Sequence, residues 1–173
     1  MSYVPANPVG SASAIVNDPL LTVPDQAQQA HWISLHWERY ALAIPQHEVR
    51  SVEIAADVVE AMPNEGPAGW YPSQPKPFPI YRFDDRMWLV RGFKRDGFVM
   101  LINDTEPWGI WGEAVNVEKD SAALQAANLP PLFQRTFSPA ESLAVTEEGR
   151  PVLLCSAASL KRWVQALMAR RNK

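Results

Sequence analysis

Cysteine is almost missing from this chain: Cys155 is the only one in 173 residues. A single thiol excludes an intramolecular disulfide framework, and its setting in Val152-Leu153-Leu154-Cys155 reads as that of a small core residue. Glycine is scarce too, at eight residues, and none falls in a G-x-G-x-x-G or P-loop spacing, so no phosphate cradle is expected. Long apolar runs are lacking. No stretch approaches the roughly 20 residues that span a bilayer, and residues 1–25 have neither the basic start nor the unbroken apolar centre of a signal peptide. Basic runs are lacking before the C-terminal Arg170, Arg171 and Lys173, and the formal charge of −3 argues against a nucleic-acid footprint. Together these absences make a cytoplasmic location without membrane insertion the expectation.

What the chain does have is apolar residues (47%), proline (16 residues) and tryptophan (seven). The length and apolar content suit one domain with a sizeable core. Residues 1–28 read as a tail, since Pro5, Pro8, Pro19 and Pro24 work against regular structure. The domain proper is expected over 29–170, with 171–173 a basic end. Trp32, Ile33, Leu35 and Trp37 followed closely by Tyr40-Ala41-Leu42-Ala43-Ile44 predict a tight hairpin. Further strands are predicted over Phe78–Phe83, over Phe98–Ile102 after an Asp96-Gly97 turn, and over Trp108–Val117. A last hairpin is predicted from Leu143–Thr146 and Pro151–Cys155. Residues 120–128 suit a short capped helix, and 55–61 a helical turn or an irregular connection. Capped by Ser156 or Ser159, a final helix carries one apolar stripe of Leu160, Trp163, Val164 and Leu167. The sum is a mostly β, antiparallel domain, a sandwich or a barrel.

Three segments taken in order carry a resemblance: Tyr40-Ala41-Leu42-Ala43-Ile44-Pro45 running to Val49; Gly69-Trp70-Tyr71 with Pro79-Ile80-Tyr81; and Gly109-Ile110-Trp111-Gly112-Glu113-Ala114-Val115. Their order and separations resemble the CheW-like family of coupling proteins in bacterial chemosensory arrays. There a first hairpin reads "YaipI..V.EI", a central segment "GviNLRGqviPviDL" and a later strand "vGl.VD.V". The likeness covers about residues 31–168 and rests on order and spacing, since each motif alone is weak. It implies two small antiparallel β-barrel (SH3-like) lobes packed around a shared core, and it implies no catalysis.

The same alignment shows where this chain departs from the family. Gly69 and Pro79-Ile80 match without a gap, which puts Pro72-Ser73-Gln74-Pro75 on "NLRG". The family's arginine is therefore Gln74, its glycine is Pro75, and the "DL" aspartate is Arg82. Ser51, after Arg50, replaces the glutamate of "V.E", and Glu113 replaces the aspartate of "VD.V". Glycine and proline do not share one backbone range, so the docking loop is expected to differ. Prolines 72, 75 and 77 are expected to hold Gly69–Pro79 extended and exposed, with Trp70 and Tyr71 as interface anchors. The partner-binding set is thus Trp70, Tyr71, Gln74, Arg50, Arg82 and Glu113.

Chemistry is weakly signalled. His31 and His36 fall on opposite faces of one strand, and no clustered Cys, Asp or Glu completes a zinc site. No G-x-S-x-G elbow occurs, and Asp84-Asp85 and Asp104 with Glu106 read as polar turns. Trp32, Trp108, Trp111 and Trp163 lie in periodic segments and read as core or seam between lobes. No metal, cofactor or catalytic residue is expected. The resemblance implies a non-enzymatic adaptor whose partners are a histidine-kinase regulatory domain and a chemoreceptor or relative. From a different class, the alternative is a small-ligand-binding β domain with an aromatic cleft.

Overall fold

The computed structural model describes residues 31–63, 65–92, 94–118, 139–146 and 149–171. The tail 1–28, the helix predicted over 120–128 and the last two residues lie outside these. Eleven strands and one long helix make up the described fold. In chain order the strands are β1 (Trp32–His36), β2 (Ala41–Pro45), β3 (Val49–Ile54), β4 (Val59–Glu60), β5 (Gly69–Tyr71) and β6 (Phe78–Arg82). They continue as β7 (Phe98–Ile102), β8 (Trp108–Gly112), β9 (Ala114–Glu118), β10 (Ser142–Val145) and β11 (Pro151–Leu154), and α1 (Ala157–Arg171) closes the chain. Short 3-10 turns at Gln46–Glu48 and Ala55–Asp57 join β2 to β3 and β3 to β4.

The strands form two sheets. One has the order β10-β11-β2-β1-β9, the other β3-β7-β8-β6-β5-β4. The predicted β1–β2 hairpin is present, with Ile33 opposite Ile44 and Leu35 opposite Leu42. Alternation works on both faces of β2. Leu42 and Ile44 enter the main core, while Ala41 and Ala43 join a smaller cluster with Ala144, Val152 and Leu154. The main core draws on both sheets and on α1 at once, from Leu35 and Ile44 to Ile80, Val99, Ile110, Trp111, Leu160 and Trp163. Ile33, Leu35, Leu42, Ile44, Val99, Leu101 and Ile110, the apolar positions of the predicted strands, are buried, and Val115 is half-buried.

Three expectations are corrected here. Trp108–Val117 is not one strand: the chain leaves the second sheet after Gly112 and enters the first at Ala114, so Glu113 is the crossing point. Its amide donates to His36 O at 2.9 Å, which anchors the crossing. The sheets are not wholly antiparallel either, because β2 pairs with β11 and β6 with β8 in parallel. Parallel neighbours need a long crossover, and hydrophobic periodicity carries no signal of strand direction. Finally, neither sheet closes into a barrel, since both strand orders are open among the described residues. In the second sheet β4 is only two residues long, too short for a ladder back to β3. Side chains reach across the gap instead. The Arg50 guanidinium stands 5.3 Å above the Phe78 ring, and the Glu53 carboxylate is near enough to Tyr71 to help raise its phenol pKa, after burial.

The expected turn at Asp96-Gly97 is present, and only glycine suits it. Gly97 has φ +108°, and an added Cβ would lie 2.5 Å from Gly112 O. The helix start follows its sequence signal. Ser156 Oγ accepts from Ser159 N at 3.2 Å, and Ser159 Oγ accepts from Ser156 N at 3.1 Å, a reciprocal cap. Glu48 also accepts from Ala157 N, placing a carboxylate at the positive end of the helix dipole. The predicted stripe Leu160, Trp163, Val164 and Leu167 is buried.

Candidate functional site

An apolar groove of about 660 Å³ opens between the proline loop, β6, the β7–β8 turn and α1. Its floor is built from the sheet: Tyr81 and Trp108 meet edge to face, with ring centroids 6.1 Å apart. Burial pushes the Tyr81 phenol pKa up. One wall is Pro75 to Pro79, the opposite wall the Lys161, Val164 and Met168 side of α1. Glu65 to Pro67 close one end of the groove. There the Arg171 guanidinium donates to Glu65 O at 3.1 Å, and an added Cβ on Gly66 would lie 2.5 Å from Met168 Cε. That methyl is the free end of a flexible side chain, so a larger residue at position 66 would be met by a shift of Met168. On the β7–β8 turn, Lys161 Nζ meets Asp104 Oδ2 at 2.7 Å. The Lys161 hydrogen bond, with help from Thr105, holds the Asp104 carboxyl below its ordinary range.

Trp70 lines this groove, half-buried, and its indole N–H donates to Glu65 Oε2 at 2.8 Å. That bond and the Met62 amide hold the Glu65 carboxyl below its ordinary range. Tyr71 packs against the core, and burial together with nearby Glu53 and Asp57 raises its phenol pKa. Gln74 is exposed at the tip of the loop, where its bond to Pro75 is cis. Gly69–Pro79 is therefore not one extended segment. Because Tyr71 pairs with Phe78, the segment folds back as a hairpin, and its exposed part is the tip at Pro72 and 74–77.

The other three predicted residues lie elsewhere. Arg50 covers Phe78 from β3. Arg82 and Glu113 are brought to one patch by Trp111: the Arg82 guanidinium lies 5.1 Å and Lys94 Nζ 5.7 Å from its ring, and Lys94 pairs with Glu113 at 3.5 Å. The structure thus separates the predicted set into a groove and a charged patch that covers the buried Trp111 ring at the crossing from β8 to β9. Sequence reasoning missed Lys94, Tyr81, Lys161 and Met168. Lys161 and Met168 lie three before and four after Val164, on the edge of the buried stripe, and that helical spacing is the signal that could have found them. Tyr81 and Trp108 become neighbours only through the parallel pairing of β6 with β8.

Among the described residues no group of three or more His, Cys, Asp or Glu is placed to hold a metal ion. No described helix is long and apolar enough to cross a membrane. Cys155 is buried, and burial pushes its thiol pKa far up.

No protein-family model matches this sequence, and no curated protein does. The fold does find a counterpart. The scaffolding protein TtCheW from Thermoanaerobacter tengcongensis superposes with a TM-score of 0.55 at 17% identity, over 73% of this chain and 88% of that one. The protein is a divergent example of the CheW-like fold, and its likeness to that scaffold lies in backbone architecture, with little shared sequence.

Proposed function

We propose that this protein is a non-enzymatic adaptor of the CheW type, which bridges a histidine-kinase regulatory domain and a chemoreceptor-like protein. The observation that carries the reading is the shared architecture with a scaffolding protein over most of both chains. Two separate surfaces support it: the groove beside Trp70, and the Arg82–Trp111–Lys94–Glu113 patch. An adaptor needs two such faces, because one must stay open while the other is engaged. Arg50 and Tyr71 both adjoin Phe78, which lines the groove: Arg50 lies over its ring and Tyr71 pairs with it between β5 and β6.

Trp70 is the expected anchor of the groove, since aromatic side chains at interface centres contribute most when desolvated. Gln74 offers no charge at the loop tip, so binding there is expected to respond more to apolar truncation than to salt. The test is calorimetric titration of purified kinase regulatory domain and of receptor tip into wild type, Trp70→Ala and Gln74→Arg. Trp70→Ala is expected to weaken one partner at least tenfold. Unchanged affinity for both partners removes the groove from the interface. Gln74→Arg is expected to strengthen the receptor tip alone.

A second reading has its own observation. A groove of about 660 Å³ floored by two aromatic rings has the size of a small-molecule site. If the protein is instead a ligand-binding domain, a panel of small molecules will raise its melting temperature in wild type and not in Trp70→Ala, with no effect of either protein partner.

A further inference from the structure

We infer that the hairpin from Arg82 to Gly92, with Lys94 beside it, is a docking surface for an acidic segment of a partner protein. Arg82 is its carboxylate-binding group and Trp88 its apolar anchor. The inference rests on the adaptor reading for the existence of a partner, and it gives that reading's second face a chemistry. Charge sets this stretch apart from the rest of the molecule. Residues 82–95 hold five Lys or Arg and two Asp, a net of +3, in a chain whose formal charge is −3. Both aspartates are occupied within the protein. Asp84 Oδ1 accepts from Arg86 N and Trp88 N, each at 2.9 Å, and Asp85 lies 4.0 Å from the Arg39 guanidinium. Arg86, Arg91 and Arg95 are exposed and have no ion pair among the described residues. Arg82 is half-buried, and its guanidinium is fixed over the buried Trp111 ring with Nη1 donating to Gly92 O at 3.3 Å. Its buried Nε–H has no acceptor, and no carboxylate pairs with it among the described residues. A guanidinium stacked in place and short of acceptors takes an incoming carboxylate with little further loss of freedom.

The hairpin carries Trp88 on the same face as Arg82. Val90 N donates to Arg82 O and Asp84 N to Trp88 O, both at 3.0 Å, on either side of the Phe83–Leu89 bridge. Phe83 and Leu89 pack on the core, so strand alternation turns Arg82, Val90 and Trp88 to the other side. The Trp88 pair lies one step from the Arg82 pair, about 7 Å along the hairpin. Trp88 is 50% exposed. At the tip, Met87 has φ +63°, a left-handed setting that strains any residue but glycine. Met87 N donating to Asp84 O and the Tyr40 hydroxyl donating to the same oxygen, both at 3.0 Å, hold it there. A tip braced in this way is preformed, so Trp88 docks without a loop having to order first. Tryptophan and arginine are also the side chains that dominate protein interfaces. Asp85 and Glu113 border the surface. They repel the continuous phosphate backbone of a nucleic acid more than separate carboxylates on a protein segment.

The experiment titrates the full chain, by fluorescence anisotropy, with a labelled peptide in which glutamates flank two central leucines. Its lysine counterpart and an oligothymidylate serve as competing probes. Wild type should bind the glutamate peptide, less tightly as salt is raised, and should not bind the lysine peptide. Arg82→Gln should weaken the glutamate peptide at least tenfold, and Glu113→Gln should strengthen it by removing a bordering carboxylate. Trp88→Ala should abolish the preference for leucines over alanines at the two central positions. Trp70→Ala should change nothing, because Trp70 belongs to the groove. No peptide binding by wild type overturns the inference, as does tighter binding of the oligothymidylate. Unchanged affinity in Arg82→Gln also overturns it. Should Arg82→Gln lower the urea midpoint, Glu113→Gln decides, since it leaves Arg82 in place, and a failure to strengthen binding overturns the inference. The two signalling proteins test the adaptor reading separately. If neither binds and the peptide follows the expected pattern, the docking surface stands and the adaptor reading falls; if both bind and the peptide does not, the reverse holds.

Discussion

At the residue scale, the contact between Lys161 and Asp104 ties α1 to the β7–β8 turn across the end of the groove. Its dependence on pH follows from the sign of the shift. The folded carboxyl is held below the ordinary 3.8, so its stabilising contribution is present above that value and is lost as pH falls through the folded-state value. Replacing Lys161 by Met should return the Asp104 midpoint toward 3.8, followed by carbon-13 NMR of the side-chain carboxyl. A midpoint unchanged in Lys161→Met would mean that Thr105 alone sets the shift. Trp70 shows how a single side chain is positioned for a different purpose. Its indole is fixed by Glu65, leaving the ring to form part of the groove wall.

At the element scale, α1 is the piece that turns a sheet surface into a groove. Its buried stripe fixes its rotation, and that rotation places Lys161, Val164 and Met168 on the groove side. The cap made by Ser156 and Ser159 sets where the helix begins. Ser156→Ala removes one half of that reciprocal cap and the hydroxyl that Glu141 accepts from. A loss of about 1 kcal/mol is expected, read as a lower urea midpoint at unchanged slope. A change in slope would show that the compactness of a state, rather than the cap, had altered. The proline hairpin is the counterpart wall. β5 and β6 hold its base through Tyr71 opposite Phe78, while Pro75 and Pro77 present the exposed tip.

At the scale of the whole molecule, two sheets share one core. Leu35, Leu42 and Ile44 of the first sheet belong to the same cluster as Ile80, Val99 and Ile110 of the second, with Leu160 and Trp163 of α1 between elements of that cluster. A shared core couples the two sheets, so unfolding in urea should be a single transition. Far-UV circular dichroism and tryptophan fluorescence are expected to give superimposable curves. Two separated transitions would mean that each sheet folds around a core of its own. The same coupling gives an adaptor a rigid frame: the groove and the Trp111 patch keep a fixed relation, because β8 carries both Trp108 and Trp111.

Several features of the fold were legible in the chain itself because they depend on local pattern. Alternation revealed β1 and β2, the Asp96-Gly97 turn signal before an unbroken apolar run revealed β7, and the Leu160-to-Leu167 stripe with Ser156 before it marked the last helix. The order and spacing of three segments pointed to the CheW-like architecture that the structural comparison bears out. Tertiary structure decided the rest. Whether Trp108–Val117 is one strand or two depends on which sheet each half pairs with, and periodicity is the same in both cases. The groove depends on β6 lying parallel to β8, which sets Tyr81 against Trp108 although 27 positions separate them in the chain. Parallel pairing and the packing of a distant helix are non-local choices, settled by which faces can be buried together, and no short stretch of sequence encodes them.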